Sequence, residues 1–329
     1  MLIEKYDYNL PKELIAQKPA EPRDSSRLMV IKETIEHKHF YEILNYMEKG
    51  DTIVFNNSRV IRARVKGIKN TGGKVELLFL SYDKDPDILV KGKNIKPGTE
   101  IIINDIRGVV REKNEGICKI DFNADVHEII EKYGEVPLPP YIKEHLENGE
   151  RYQTIFSKIQ GSVAAPTAGL HFTENLLNKI QEKGIRILFI TLHISYSTFK
   201  PLDEKEIIEG KLHEEYYQIP EDTANSINKR EGRLFAVGTT VVRALESSCS
   251  EDGKIISGAF KTDLFIKEGY KFKSGIDALI TNFHIPKSSL LMLVTSFGGY
   301  ERIMNAYKIA VENKYRFYSF GDAMLIFKK

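Results

Sequence analysis

The chain has no tryptophan and only two cysteines in 329 residues. Cys118 and Cys249 have no metal-ligand spacing and are too few for a disulfide framework, so both read as buried thiols. Long apolar runs are missing too, and none approaches the ~20 residues that span a bilayer. The opening stretch MLIEKYDYNLPKEL places acids and a proline where a secretory signal would have its apolar core. The expectation is a cytoplasmic protein with no membrane partner. Neither sign of charge dominates. A net charge of +2 does not by itself call for a polyanion. No GxGxxG occurs, which removes the usual dinucleotide device. Gly67 and Gly72 have phosphate-loop spacing, but Gly73 stands where the lysine is needed. His213-Glu214-Glu215 lacks the second histidine of a zincin helix.

What is present is ordinary globular composition, 42% hydrophobic and 29% charged, on a chain long enough for about two domains. Charge is unevenly placed. Residues 61–124 hold 13 Lys+Arg against 9 Asp+Glu, whereas 1–60 hold 9 against 10 and 125–329 hold 26 against 27. An RNA-facing segment and plain scatter both fit that excess. The same segment breaks into short alternating runs, ARVKGI, KVELLFL, DILVKG, EIIINDI, GVVRE and ICKIDF, separated by Gly and Asn turns. This is the pattern of a small antiparallel barrel, with Thr71-Gly72-Gly73 as a hairpin turn. The helix DVHEIIEKYG and the extended PLPPYI follow.

The flanking parts read differently. Pro11 opens a short helix, KELIAQ, and Arg23, Asp24, Ser25 and Arg27 form a polar loop before the strand LMVI. TIVF runs into a corner of Asn56, Asn57, Ser58 and Arg59, residues that often serve only turn backbone. From 161 onward strands and helices alternate, and polar residues recur at strand ends. RILFITL ends at His193, RLFAVG at Thr239-Thr240, ALIT at Asn282-Phe283-His284, and FYSF at Gly321-Asp322. SSLLMLVTSF and ERIMNAYKIAVENK read as helices.

The stretch SVAAPTAGLHFTE, 162–174, organises this half. Val163–Ala165 read as a strand tail, Pro166 stops it, and Thr173 caps a following helix, so His171 is held in the loop. His171, His193 and His284 all follow expected strands. Together with Asn282 and Thr239-Thr240 they suggest one pocket, with imidazoles for proton transfer and a helix start for an anion. A salt bridge from Arg243 to Glu246 is the plainer use of that arginine. A His₃ zinc site is the rival for the histidines.

These residues also carry a resemblance. IAQKPAEPRDSSRL, FNNSRVI, GEVPLPPYI, YQTIFS, GSVAAPTAGLHFT, ITLH, GTTVVRALES, LITNFHIP with LLMLV, and KYRFYSFGDAML are mutually ordered along nearly the whole chain. They resemble the S-adenosylmethionine:tRNA ribosyltransferase-isomerases of queuosine synthesis. The family pattern departs at two places: Ser195 and Ser197 replace glycines after ITLH, and Val241 replaces a serine after Thr239-Thr240. The resemblance implies an open α/β barrel-like large domain, 1–60 plus 146–329, with an inserted small antiparallel β-barrel domain, 61–145. It implies S-adenosylmethionine consumed as ribosyl donor, no metal, and a tRNA bearing 7-aminomethyl-7-deazaguanine at its wobble position as acceptor. Epoxyqueuosine-tRNA, adenine and methionine are the implied products.

On these matched motifs His171, His284 and Asp322 are the catalytic candidates, with Asp322 facing the cationic aminomethyl group. Pro166, Thr167, Phe172, His193, Thr239, Thr240, Arg243 and Asn282 are candidates for holding S-adenosylmethionine. Arg23, Arg27, Asn56 and Arg59 are candidates for tRNA. A monomer is expected. A non-catalytic RNA-binding protein and a metal-dependent hydrolase are the alternatives. The first is weakened because residues 61–124 offer only Phe79, Tyr82 and Phe122 as stacking aromatics.

Overall fold

The structure, a computed structural model, describes residues 3–144, 146, 148–196, 202 and 204–329. Ser197 lies outside the described residues. Four strands come first: β1 (Arg27–Ile31), β2 (Ile35–His39), β3 (Thr52–Asn56) and β4 (Ser58–Val60). Six barrel strands follow: β5 (Arg64–Lys69), β6 (Lys74–Phe79), β7 (Ile88–Lys91), β8 (Glu100–Ile103), β9 (Ile106–Asn114) and β10 (Ile117–Phe122). Helix α1 (Val126–Tyr133) leads back to β11 (Ile159–Ser162), α2 (Glu174–Glu182) and β12 (Arg186–Leu192). The remainder is α3 (Glu204–Glu209), β13 (Lys211–Ile219), α4 (Glu221–Asn228), β14 (Leu234–Val237), α5 (Thr239–Ser247), β15 (Gly258–Leu264), β16 (Ala278–Asn282), α6 (Ser289–Gly298), α7 (Tyr300–Glu312) and β17 (Ala323–Phe327).

Nine strands make one open sheet in the order β15-β13-β12-β3-β14-β16-β17-β1-β2. β3, β14 and β16 are buried along their whole length, so their runs TIVFN, LFAV and ALITN show no alternation. They run parallel to one another and to β12. β17 reverses against β16 and pairs parallel with β1. The C-terminal ends of β3, β14 and β16 therefore share an edge with the N-terminal ends of β17 and β1. Strands β5 to β10 close into a separate antiparallel barrel, filled by residues such as Val65, Leu77, Ile101 and Ile103. Val126, Ile129 and Ile130 of α1 join that core. The six expected runs thus became six strands.

Some expectations need correction. The strand expected through Val163–Ala165 ends at Ser162, because its partner among the described residues is the three-residue β4 and pairing runs out at Val60. Thr167–His171 is a 3₁₀ turn, and Thr173 caps α2 by accepting from Leu176 N–H at 3.1 Å. FYSF is not a strand. Phe317 makes one bridge to Ile15, and Tyr318 then turns left-handed at φ 72°, so regular pairing starts only after Asp322. KELIAQ gives only the turn Lys12–Leu14. β13 and β15 were not foreseen. They form an edge ribbon rich in exposed charge.

The barrel leaves little room where α1 ends. A Cβ on Gly134 would stand 1.8 Å from the Arg62 carbonyl oxygen. Gly134→Ala should cost about 3 kcal/mol, because backbone rather than a flexible side chain has to yield. A urea unfolding midpoint equal to that of the parent chain would contradict this.

Candidate active site

The shared sheet edge opens into a cleft. One wall is the Pro166-Thr167 corner, a second is the end of β16 from Thr281 to Ile285, and a third is the start of α5. Gly238 makes the third wall possible. Its φ of 92° turns the buried strand LFAV directly into α5, whose Val241, Val242 and Leu245 anchor in the core. Thr239 and Thr240 then occupy the first turn, facing the cleft, where a helix end favours an anion.

Seven of the expected residues meet here: Pro166, Thr167, Thr239, Thr240, Arg243, Asn282 and His284. His284 is held on all sides. Its Nε2 lies 2.8 Å from Thr281 Oγ1, its N–H donates to Tyr307 Oη at 2.9 Å, and its carbonyl accepts from Tyr8. Burial pushes its pKa down to about 3, so the ring is neutral near pH 7.

Arg243 is buried and ion-paired to Glu215 of β13, and its Nε donates to the Leu264 carbonyl at 3.0 Å. The pairing with Glu246 is not made. Glu246 accepts instead from Tyr270 Oη, Lys273 N–H and Ser274 N–H at 3.0–3.1 Å. Glu215 also lines the cleft and accepts from Ser195 N–H at 2.9 Å. Sequence reasoning missed it because β13 went unrecognised. The signal was the two-residue spacing of Glu215, Tyr217 and Ile219, all buried on one face.

His171 lies behind the cleft rather than in it. Its ring stacks on Phe40 at 4.8 Å and its Nδ1 is 2.7 Å from Ser26 Oγ. Burial lowers its pKa to about 4; Asp322 opposes the shift and Arg316 adds to it. The Asn282 side chain acts on the same ring. Asn282 Nδ2 donates to the Tyr318 carbonyl at 2.9 Å, which fixes the amide's orientation. Asn282 Oδ1 and His171 Nε2 are both buried without a hydrogen-bond partner. The Asn282 side chain is the polar neighbour of that ring, although the pair falls short of a full hydrogen bond.

The family model for queuosine biosynthesis proteins matches residues 3–326. The chain belongs to the queuosine biosynthesis protein family. Proteins named S-adenosylmethionine:tRNA ribosyltransferase-isomerase from Staphylococcus haemolyticus and Clostridioides difficile are similar to it. The first is 47% identical, covering 99% of this chain and all of that protein. The second is 49% identical over 98% of each. A crystal structure of S-adenosylmethionine tRNA ribosyltransferase from Thermotoga maritima is 37% identical, with a TM-score of 0.57, over 98% of this chain and 99% of that one.

Other expected residues of this family member lie outside the cleft. Asp322 is 1% exposed and already engaged: its carboxylate accepts from Arg27 N–H at 3.0 Å, Arg316 N–H at 2.8 Å and the Arg316 guanidinium at 2.9 Å. Phe172 is core, edge-on to Phe40 and Phe55. The His193 ring turns toward the barrel side. It stacks on Tyr216 and fills the space over Gly161, with burial lowering its pKa and Asp83 opposing that. The three histidines therefore do not share a pocket, and among the described residues no group of three His, Cys, Asp or Glu side chains converges as a metal site.

Arg23 borders the small cavity beside His171 and donates to the Leu170 carbonyl at 3.3 Å. Arg27 stacks 3.6 Å from the Tyr315 ring, and Arg59 donates to Ser157 Oγ at 3.0 Å and pairs with Glu150. Asn56 is a strap: Leu192 N–H and Ser58 N–H donate to its Oδ1 at 3.0 Å, and its Nδ2 donates to the Leu192 carbonyl at 2.9 Å. Asn56→Ala strands three buried backbone groups and should cost about 2–4 kcal/mol in urea unfolding. A loss below about 1 kcal/mol would show that the strap is not needed.

The neutral histidines give a pH dependence whose direction is fixed. From the ordinary value of 6.5 down to about 4, the unfolded chain binds a proton at position 171 that the folded chain refuses. Stability is full above pH 6.5 and declines as pH falls toward 4. His171→Gln should shrink the drop in unfolding midpoint between pH 7.5 and 5. An unchanged drop would mean that His171 is charged in the fold.

Proposed function

We propose that the protein transfers and isomerises the ribosyl group of S-adenosylmethionine onto 7-aminomethyl-7-deazaguanine at the wobble position of tRNA, releasing adenine and methionine. Support comes from family membership and from the names of near full-length relatives. The observation that carries the reading is the cleft itself. It joins a helix start, a buried neutral imidazole and an oriented amide in one place.

In this reading Thr239, Thr240 and Arg243 hold the methionine carboxylate, with Arg243 shared between it and Glu215. Pro166 and Thr167 border the adenosyl group, and Asn282 orients it. The sulfonium acidifies the adjacent 5′ carbon, and His284 is the imidazole in the cleft that, unprotonated near pH 7, is assigned to take that proton, burial making it a weaker base than an ordinary imidazole. His171 and Asp322 act as positioning residues. His171 sits behind Asn282, and Asp322 anchors the segment that Asn282 donates to. Arg23, Arg27 and Arg59 are assigned to the RNA in this reading. The barrel unit, residues 61–145, is an insert in a large domain of 1–60 and 146–329; its separate hydrophobic core favours that division.

Incubation with S-adenosylmethionine and precursor-bearing tRNA should release adenine equally with and without chelator. Methylated tRNA without adenine would exclude the reaction. Chelator-sensitive turnover would favour a metal-dependent hydrolase, and binding without product a non-catalytic RNA-binding protein. His284→Gln should lower kcat by about 10²–10⁴ with the thermal unfolding midpoint retained. Full turnover in that variant would remove His284 from the chemistry.

A further inference from the structure

The positive excess of residues 61–124 has a definite location. The barrel begins at Arg64, soon after β4, and Ile61, Ala63 and Val163 join its core, so the start of β5 lies on the side of the small β4–β11 sheet. On that end the connections 80–88, 103–106 and 122–126 carry five aspartates and one lysine. Asp83 there is near enough to act on His193. The opposite end is built from the connections 69–74, 91–100 and 113–117, with six lysines and two glutamates. β5 is six residues long, so this end stands about 20 Å from the body.

The three connections form one surface. Lys69 Nζ donates to the Lys93 carbonyl and Lys113 Nζ to the Ile95 carbonyl, both at 2.9 Å. Asn70 N–H donates to the Glu100 carbonyl at 3.2 Å, and Val90 N–H to the Gly116 carbonyl at 3.1 Å. Lys91 pairs with Glu76 at 3.4 Å. Lys74, Lys93 and Lys96 are exposed and meet no carboxylate among the described residues. A groove on the adjoining barrel wall has Gly67 and Ile102 in its lining, and Lys74 and Lys91 on its rim.

We propose that this outer end of the barrel grips the phosphate backbone of the tRNA, several nucleotides away from the base being modified. The inference rests on the tRNA-modifying reading above. Three points favour RNA. Lys74, Lys93 and Lys96 lack acidic partners among the described residues, the net charge is concentrated on one end, and exposed aromatics that would read bases are absent from these connections. The contact is therefore indifferent to sequence and serves register.

The test is the triple variant K74E/K93E/K96E, with K74Q/K93Q/K96Q as a milder form. KM for tRNA should rise about 10–100-fold, with kcat and KM for S-adenosylmethionine within about twofold. The slope of log Kd against log salt for unmodified tRNA should fall by about 2–3. An unchanged Kd and slope in both variants would overturn the proposal. The Kd measurement needs no catalysis. A parent chain that releases no adenine would therefore sink the proposed reaction while leaving the surface to be judged by binding alone.

Discussion

The Asp322 carboxylate is the interaction on which the rest of the site depends. A buried carboxylate needs charge and donors around it, and this one finds both in Arg316 and in two backbone N–H groups. Those partners tie the start of β1 to the segment before β17. The same segment supplies the Tyr318 carbonyl that orients Asn282. Removing the carboxylate would free the Arg27 and Arg316 amides together and loosen the wall behind the cleft. An acid at that position is needed even where it touches no ligand.

Much of the fold could be read from runs of residues. LFAV is short and wholly apolar, and TIVF is apolar after Thr52, which fits strands buried on both faces. The barrel was legible because its runs alternate and its turns are marked by glycine and asparagine. Failures came where tertiary partners decide. β11 stops early because β4 is short, and β17 starts late because Tyr318 takes a left-handed turn. β13 was hidden by its own charge, since a strand of KLHEEYYQI next to the sheet edge shows only every second side chain to the core.

The site was half legible for a related reason. Residues at the ends of β14 and β16 project into the cleft as the strand-end pattern implied. His193 also follows a strand, yet its ring turns to the other side, and His171 lies one layer deeper. Position at a strand end sets where the backbone stops; the direction of the side chain depends on neighbours such as Gly161 and Tyr216. Glu215 shows the converse. It reaches the cleft from the middle of an edge ribbon, through a cross-strand geometry that no local motif announces.

The buried pair of Arg243 and Glu215 has an electrostatic consequence. Together the two side chains present a dipole with no net charge to the cleft wall. A lone anion binding Arg243 would strand the glutamate, and a lone cation binding Glu215 would strand the guanidinium; either is costly away from water. A zwitterion with its carboxylate and ammonium one carbon apart can satisfy both partners at once. A wall of this kind is matched in charge by a group that carries both signs and poorly matched by a simple acid or amine.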